Sequence, residues 1–116
     1  MTLTLYGIPN CSTVKKARDW LEQNACAYTF YDFKKNTLSD ALLSDWISQQ
    51  PLDKLINRAG LTWRNLTDAE KDSVQDAAKA RQLMLAKPSL IKRPVLIKDG
   101  KIACLGYTEA TYKALL

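Results

Sequence analysis

Residues 3–21, LTLYGIPNCSTVKKARDWL, decide how the chain is read. Polar and apolar residues alternate over 2–6, the pattern of a half-buried strand. Gly7 and Pro9 break that run, and Cys11 follows. From Ser12 to about Asn24 the period changes. Val14, Ala17, Leu21 and Ala25 fall three and four apart and line one helix face. The cysteine therefore sits where a strand gives way to a helix. A helix N-terminus offers unpaired N–H groups and a partial positive charge, both of which favour a thiolate over a thiol. Lys15 follows within the first turns and, by spacing, lies on the Cys11 side. These features mark Cys11 as a candidate nucleophile and the N–H groups after it as candidate donors.

Outward from this stretch, residues 26–33 (CAYTFYDF) read as a second strand opened by Cys26. Strand, helix and strand form a right-handed βαβ unit with parallel strands. The middle reads as helical. Ser39 caps a helix through Leu42, Leu43, Trp46 and Ile47. Pro51 opens a short segment that Gly60 ends. TDAE at 67–70 is a capping box, and one helix is expected from there to about Ala86, with Val74, Ala77, Ala78, Met84 and Leu85 inward. PVLIKDGKIACL at 94–105 is two apolar runs around Asp-Gly, a strong hairpin signal. Thr108 caps a closing helix through Tyr112 and Leu115.

Composition narrows the chemistry. The 116 residues, 47% of them hydrophobic, suit one domain with a real core. Net charge is +5 and the sequence pI about 9.2, which suits an anionic ligand or an acidic partner surface. No dense basic block appears, so direct nucleic-acid binding is not expected. No apolar run reaches about 18 residues, so no membrane span is expected. No leader-like segment opens the chain, and the expected compartment is the cytoplasm. With no histidine, Ser-His and Cys-His catalysis are excluded. Three cysteines without a CxxC give no metal site. Cys26 lies on the order of 20 Å from Cys11 along the helix, beyond the roughly 7 Å that a disulfide spans. Cys104, near the end of the last strand, reads as a core residue, although that end could approach Cys11. Cys11 thus needs an external thiol to complete a redox cycle. Arg93 precedes Pro94 at the start of a strand, where proline is tolerated, and its planar fork suits carboxylates and oxyanions.

The order β-α-β, helical insert, β-β-α resembles the thioredoxin fold: a mixed α/β sheet, here one domain over 1–116 with the insert over about 38–88. That resemblance implies a cis Arg93–Pro94 bond facing Cys11. YGIPNCSTVKKARDWLE (6–22), NRAGLTWRNL (57–66), KPSLIKRPVLI (87–97) and LGYTEATYKALL (105–116) together resemble the arsenate reductase (ArsC) family. The chain looks most like its YffB branch and the related Spx regulators.

The resemblance implies a function. In typical members a single cysteine attacks arsenate, and glutathione and glutaredoxin complete the reduction. Cys11 matches that cysteine, and Arg58 and Arg93 match two arginines of the oxyanion site. Gly7 stands where the family has a histidine, Lys15 where it has an arginine, and Gly106 where it has a third site arginine. Spx regulators bind the RNA polymerase α subunit and commonly carry a CxxC switch, whose second cysteine is Val14 here. The reading is a cytosolic thiol-disulfide oxidoreductase with glutathione as co-substrate and no bound cofactor. Cys11 is its nucleophile, with Arg93, Arg58, Lys15, Asn10, Ser12 and Pro94 at the substrate. The alternatives are an Spx-like adaptor and a glutaredoxin-linked arsenate reductase.

Overall fold

The computed structural model describes residues 1–116. Contacts gather into two compact units, one of residues 1–36 and 93–116, the other of 37–92.

The first unit is built on a four-stranded sheet in the order β2-β1-β3-β4. Its strands are β1 (Leu3–Gly7), β2 (Thr29–Asp32), β3 (Val95–Lys98) and β4 (Lys101–Leu105), with helices α1 (Ser12–Gln23) and α7 (Glu109–Leu115). β1 pairs parallel with β2 and antiparallel with β3. This is the mixed α/β, thioredoxin-like arrangement that the element order implies. Alternation puts Leu3 and Leu5 on one face of β1, where they pack with Ala17 and Leu21 of α1, Leu96 of β3 and Tyr112 of α7. Each of the leucines contributes roughly 1.5–3 kcal/mol on burial. Trp20 and Tyr107 close edge-on against Tyr112, at ring centroids of 5.8 and 4.7 Å. Asp99 (φ 51°) and Gly100 (φ 83°) turn β3 into β4. Both have positive φ, as a tight primed turn demands.

The second strand is shorter than its sequence suggests. α1 ends at Gln23, Ala25 takes φ 54°, and the Cys26 N–H donates to Leu21 O at 2.9 Å. The chain thus folds back on the helix end, and pairing with β1 starts only at Thr29. Cys26 does not open the strand, and Ala25 is exposed rather than part of the buried stripe.

The second unit holds α2 (Asp40–Gln49), α3 (Leu52–Leu55), α4 (Leu61–Arg64), α5 (Asp68–Ser73), α6 (Ala77–Ala86) and a 3₁₀ turn at Pro88–Leu90. Leu43, Trp46, Leu55, Ile56, Val74, Ala80, Met84, Leu90 and Ile91 are buried. Ser39 caps α2 by accepting from the Leu42 N–H at 3.0 Å, and Thr67 with Glu70 forms the capping box of α5. Where one helix was expected from Asp68 to Ala86 there are two. The Asp76 carboxylate accepts from the N–H groups of Ala78 (2.9 Å) and Lys79 (3.1 Å) and so starts a new helix. Ala77 and Ala78 fall in that first turn and are exposed. Arg81 pairs with Asp40 at 2.6 Å, tying α6 to the start of α2. No helix is long and apolar enough to cross a membrane.

Candidate active site

Cys11 is the N-cap of α1, in extended backbone (φ −106°, ψ 125°) between the loop that leaves β1 and the first helical turn. It is half-buried and bonded to no other cysteine. Burial by itself pushes its thiol up, but the opposing influences win and the pKa lies below the ordinary value. They are the Val14 N–H, a hydrogen bond from Arg93, the Thr13 N–H and the Arg93 charge. The sulfur closes no capping hydrogen bond of the usual geometry. It is large and diffuse, and it gains from these N–H groups electrostatically.

Arg93 ends the connection into β3, and the Arg93–Pro94 bond is cis. Pro94 is buried, and its carbonyl accepts from the Gly106 N–H at 2.8 Å as the chain leaves β4. The exit of β4 thereby clamps the residue pair that holds the guanidinium on the sulfur. Gly106 has φ 81°, in the region that favours glycine. An arginine at this position, as the family pattern has it, would be strained.

The other candidates are placed differently. Asn10 and Ser12 flank Cys11 and are exposed. Lys15 is exposed on α1, its N–H donating to Cys11 O at 3.0 Å, and its charge is not among those that act on the sulfur. Arg58 belongs to the second unit, with its guanidinium 5.1 Å from the centre of the Trp63 ring. The geometry thus brings together Cys11, Arg93 and Pro94 with the N–H groups of Thr13 and Val14.

A sequence reading overlooks two features. Gly7 lies where β1 meets α1, and a Cβ there would come 2.9 Å from both methyls of Val14. Beside the Cys11 loop, Pro9, Asn10, Asp32, Lys34 and Lys35 line a groove of about 320 Å³. The paired lysines of FKKN at 33–36, just after a strand parallel to β1, are the signal that marks this groove.

Known proteins match the chain over nearly all its length. The sequence model of the ArsC family covers residues 6–115. An uncharacterised Haemophilus influenzae protein is 38% identical over 112 residues, 97% of this chain and 96% of that one. The global transcriptional regulator Spx of Listeria monocytogenes is 28% identical, over 98% of this chain and 86% of its own. Among solved structures, the YffB (PA3664) protein is 43% identical with a TM-score of 0.91, over 99% of both chains. An arsenate reductase (ArsC) related protein from Brucella melitensis is 49% identical with a TM-score of 0.80, over 98% of this chain and 93% of that one.

Proposed function

Because the chain belongs to the ArsC family, with residues 6–115 matched, we propose that it is a cytoplasmic thiol-disulfide oxidoreductase that works through Cys11 with glutathione as co-substrate. The observation that carries this reading is the lowered pKa of a half-buried Cys11 that faces Arg93 and the opening turn of α1. The thiolate attacks one sulfur of a disulfide. A new S–S bond forms to Cys11, the old one breaks, and the second sulfur leaves as a thiolate. Glutathione thiolate then attacks the mixed disulfide and frees Cys11. That attack leaves a glutathione–substrate disulfide; a second glutathione thiolate attacks its glutathione sulfur, the substrate thiolate departs, and oxidised glutathione is released. The N–H groups of Thr13 and Val14 and the Arg93 guanidinium stabilise Cys11 both as attacking and as leaving thiolate.

No second cysteine is needed inside the chain, which fits a fold in which no two cysteines are joined in a disulfide. Asn10 and Ser12 flank Cys11 in the chain and Pro94 follows Arg93, and all three are assigned to the substrate on that adjacency. Arg58 is assigned to anion recognition by family resemblance alone, and Lys15 by its helix spacing from Cys11. Arsenate is a weaker reading, since glycine occupies position 106 at a φ that disfavours arginine. Similarity to Spx favours one second reading, an adaptor for the RNA polymerase α subunit. Capture of that subunit by a Cys11→Ser variant would favour the adaptor.

The direct test mixes the protein with oxidised glutathione and maps the adduct by mass spectrometry. A single glutathione on Cys11 is expected, and Cys11→Ser should lose both the adduct and turnover. Turnover at the level of the unsubstituted protein in Cys11→Ser would end the proposal.

A further inference from the structure

The groove beside the Cys11 loop has a definite construction. β1 and β2 are parallel, with Gly7 opposite Asp32, so both strands release their chains at the same end of the sheet. One chain runs through Pro9 and Asn10 to Cys11, and the other through Lys34 and Lys35. The Phe33 N–H donates to Gly7 O at 3.1 Å, and the Phe33 side chain is buried. The spacing of the two walls is thereby fixed. One Asp32 oxygen is occupied by the second wall itself, accepting from the N–H groups of Lys34 (2.9 Å) and Lys35 (3.2 Å). The Asp32 carbonyl accepts from the Asn36 N–H at 2.9 Å. Both lysine side chains are exposed, and neither enters an ion pair. Two lysines against one aspartate leave the groove net positive, next to the residues that precede the nucleophile.

We propose that this groove, through Lys34 and Lys35, recognises a carboxylate carried by the disulfide that Cys11 attacks. The inference rests on the thiol-disulfide reading and adds a substrate class to it: acidic disulfides, either small acids or peptides. The carboxylate is not consumed. It holds the disulfide while the Cys11 thiolate displaces one sulfur and the other departs as a thiolate.

The test measures single-turnover rates of Cys11 adduct formation with dithiodipropionate (anionic), hydroxyethyl disulfide (neutral) and cystamine (cationic). The paired change Lys34→Glu with Lys35→Glu should lower the anionic-to-neutral rate ratio about tenfold and raise the cationic-to-neutral ratio. The control pair, Lys101→Glu with Lys113→Glu, makes the same change in net charge. Lys101 opens β4 at the other end of the sheet, paired with Lys98, and both control lysines are exposed. Equal shifts in the two paired variants would show that only overall charge acts, and would overturn the groove. If the glutamate pair does not fold, the glutamine pair tests the same loss of anionic preference. Oxidised glutathione separates the sources. A loss confined to dithiodipropionate assigns the groove to small acids, and a loss confined to glutathione assigns it to peptides; either supports the carboxylate. If the unsubstituted protein forms no adduct with the neutral disulfide, the Cys11 reading itself fails, whatever the groove does.

Discussion

The guanidinium of Arg93 supplies the Cys11 sulfur with both a hydrogen bond and a positive charge. Because the folded thiol titrates below its ordinary value, thiolate is present at pH values where a free thiol is protonated. Replacing Arg93 by methionine removes both contributions and leaves burial less opposed. The midpoint of iodoacetamide alkylation against pH should therefore rise, with Arg93→Lys in between because it keeps charge without the fork. A midpoint that stays put or falls would remove Arg93 from the site. A second residue-scale effect concerns Gly7. A methyl there meets two methyls of Val14 at 2.9 Å. Gly7→Ala should cost about 1–3 kcal/mol in urea unfolding. In a Val14→Ala background the same change should cost clearly less, since the methyls that obstruct it are gone. Strict additivity would mean that some other contact keeps position 7 a glycine. The same contact gives a steric reason why the family's histidine is absent here: glycine at 7 and valine at 14 depend on each other.

At the scale of elements, local chemistry sets the boundaries. Asp76 starts α6 by satisfying two N–H groups. Asp76→Ala should therefore destabilise the protein by about 1 kcal/mol, read as a lower urea midpoint at unchanged slope. An unchanged midpoint would mean that packing alone places the break between α5 and α6. Elements of this kind were unequally legible in the sequence. Ser39, Thr67, Thr108 and the Asp99-Gly100 turn act within a few residues of themselves, so their roles can be read directly. The break before α6 was hidden because Val74 and Met84 carry a helical spacing straight across it. The late start of β2 was hidden too: CAYTFYDF is strand-like throughout, and only the bond from Cys26 back to Leu21 holds its first residues out of the sheet. In the candidate site, helix spacing singled out Lys15 as the nearby cation. Spacing places a backbone and does not aim a long side chain; Arg93, whose hydrogen bond and charge reach the sulfur, was legible instead from its place before Pro94 and from the family resemblance.

For the molecule as a whole, the order of elements carried most of the topology. Parallel neighbours need a crossover such as the helix between β1 and β2, and a two-residue turn joins antiparallel ones. What order alone leaves open is which strand occupies the other side of β1; that is β3, which begins only after the whole second unit. The groove was equally out of reach of local patterns, because it needs two loops to emerge at one end of a sheet. The central position of β1 also has a consequence in time. During synthesis Cys11 is made with β1 and α1, whereas Arg93 and the strand beside it follow only after the whole second unit. Until then a nascent chain carries a thiol without its cation, and less of it is ionised at a given pH than in the folded protein. A chain that stops before Arg93 lacks the hydrogen bond and the charge that this residue gives the sulfur, so its thiol should titrate above that of the folded protein.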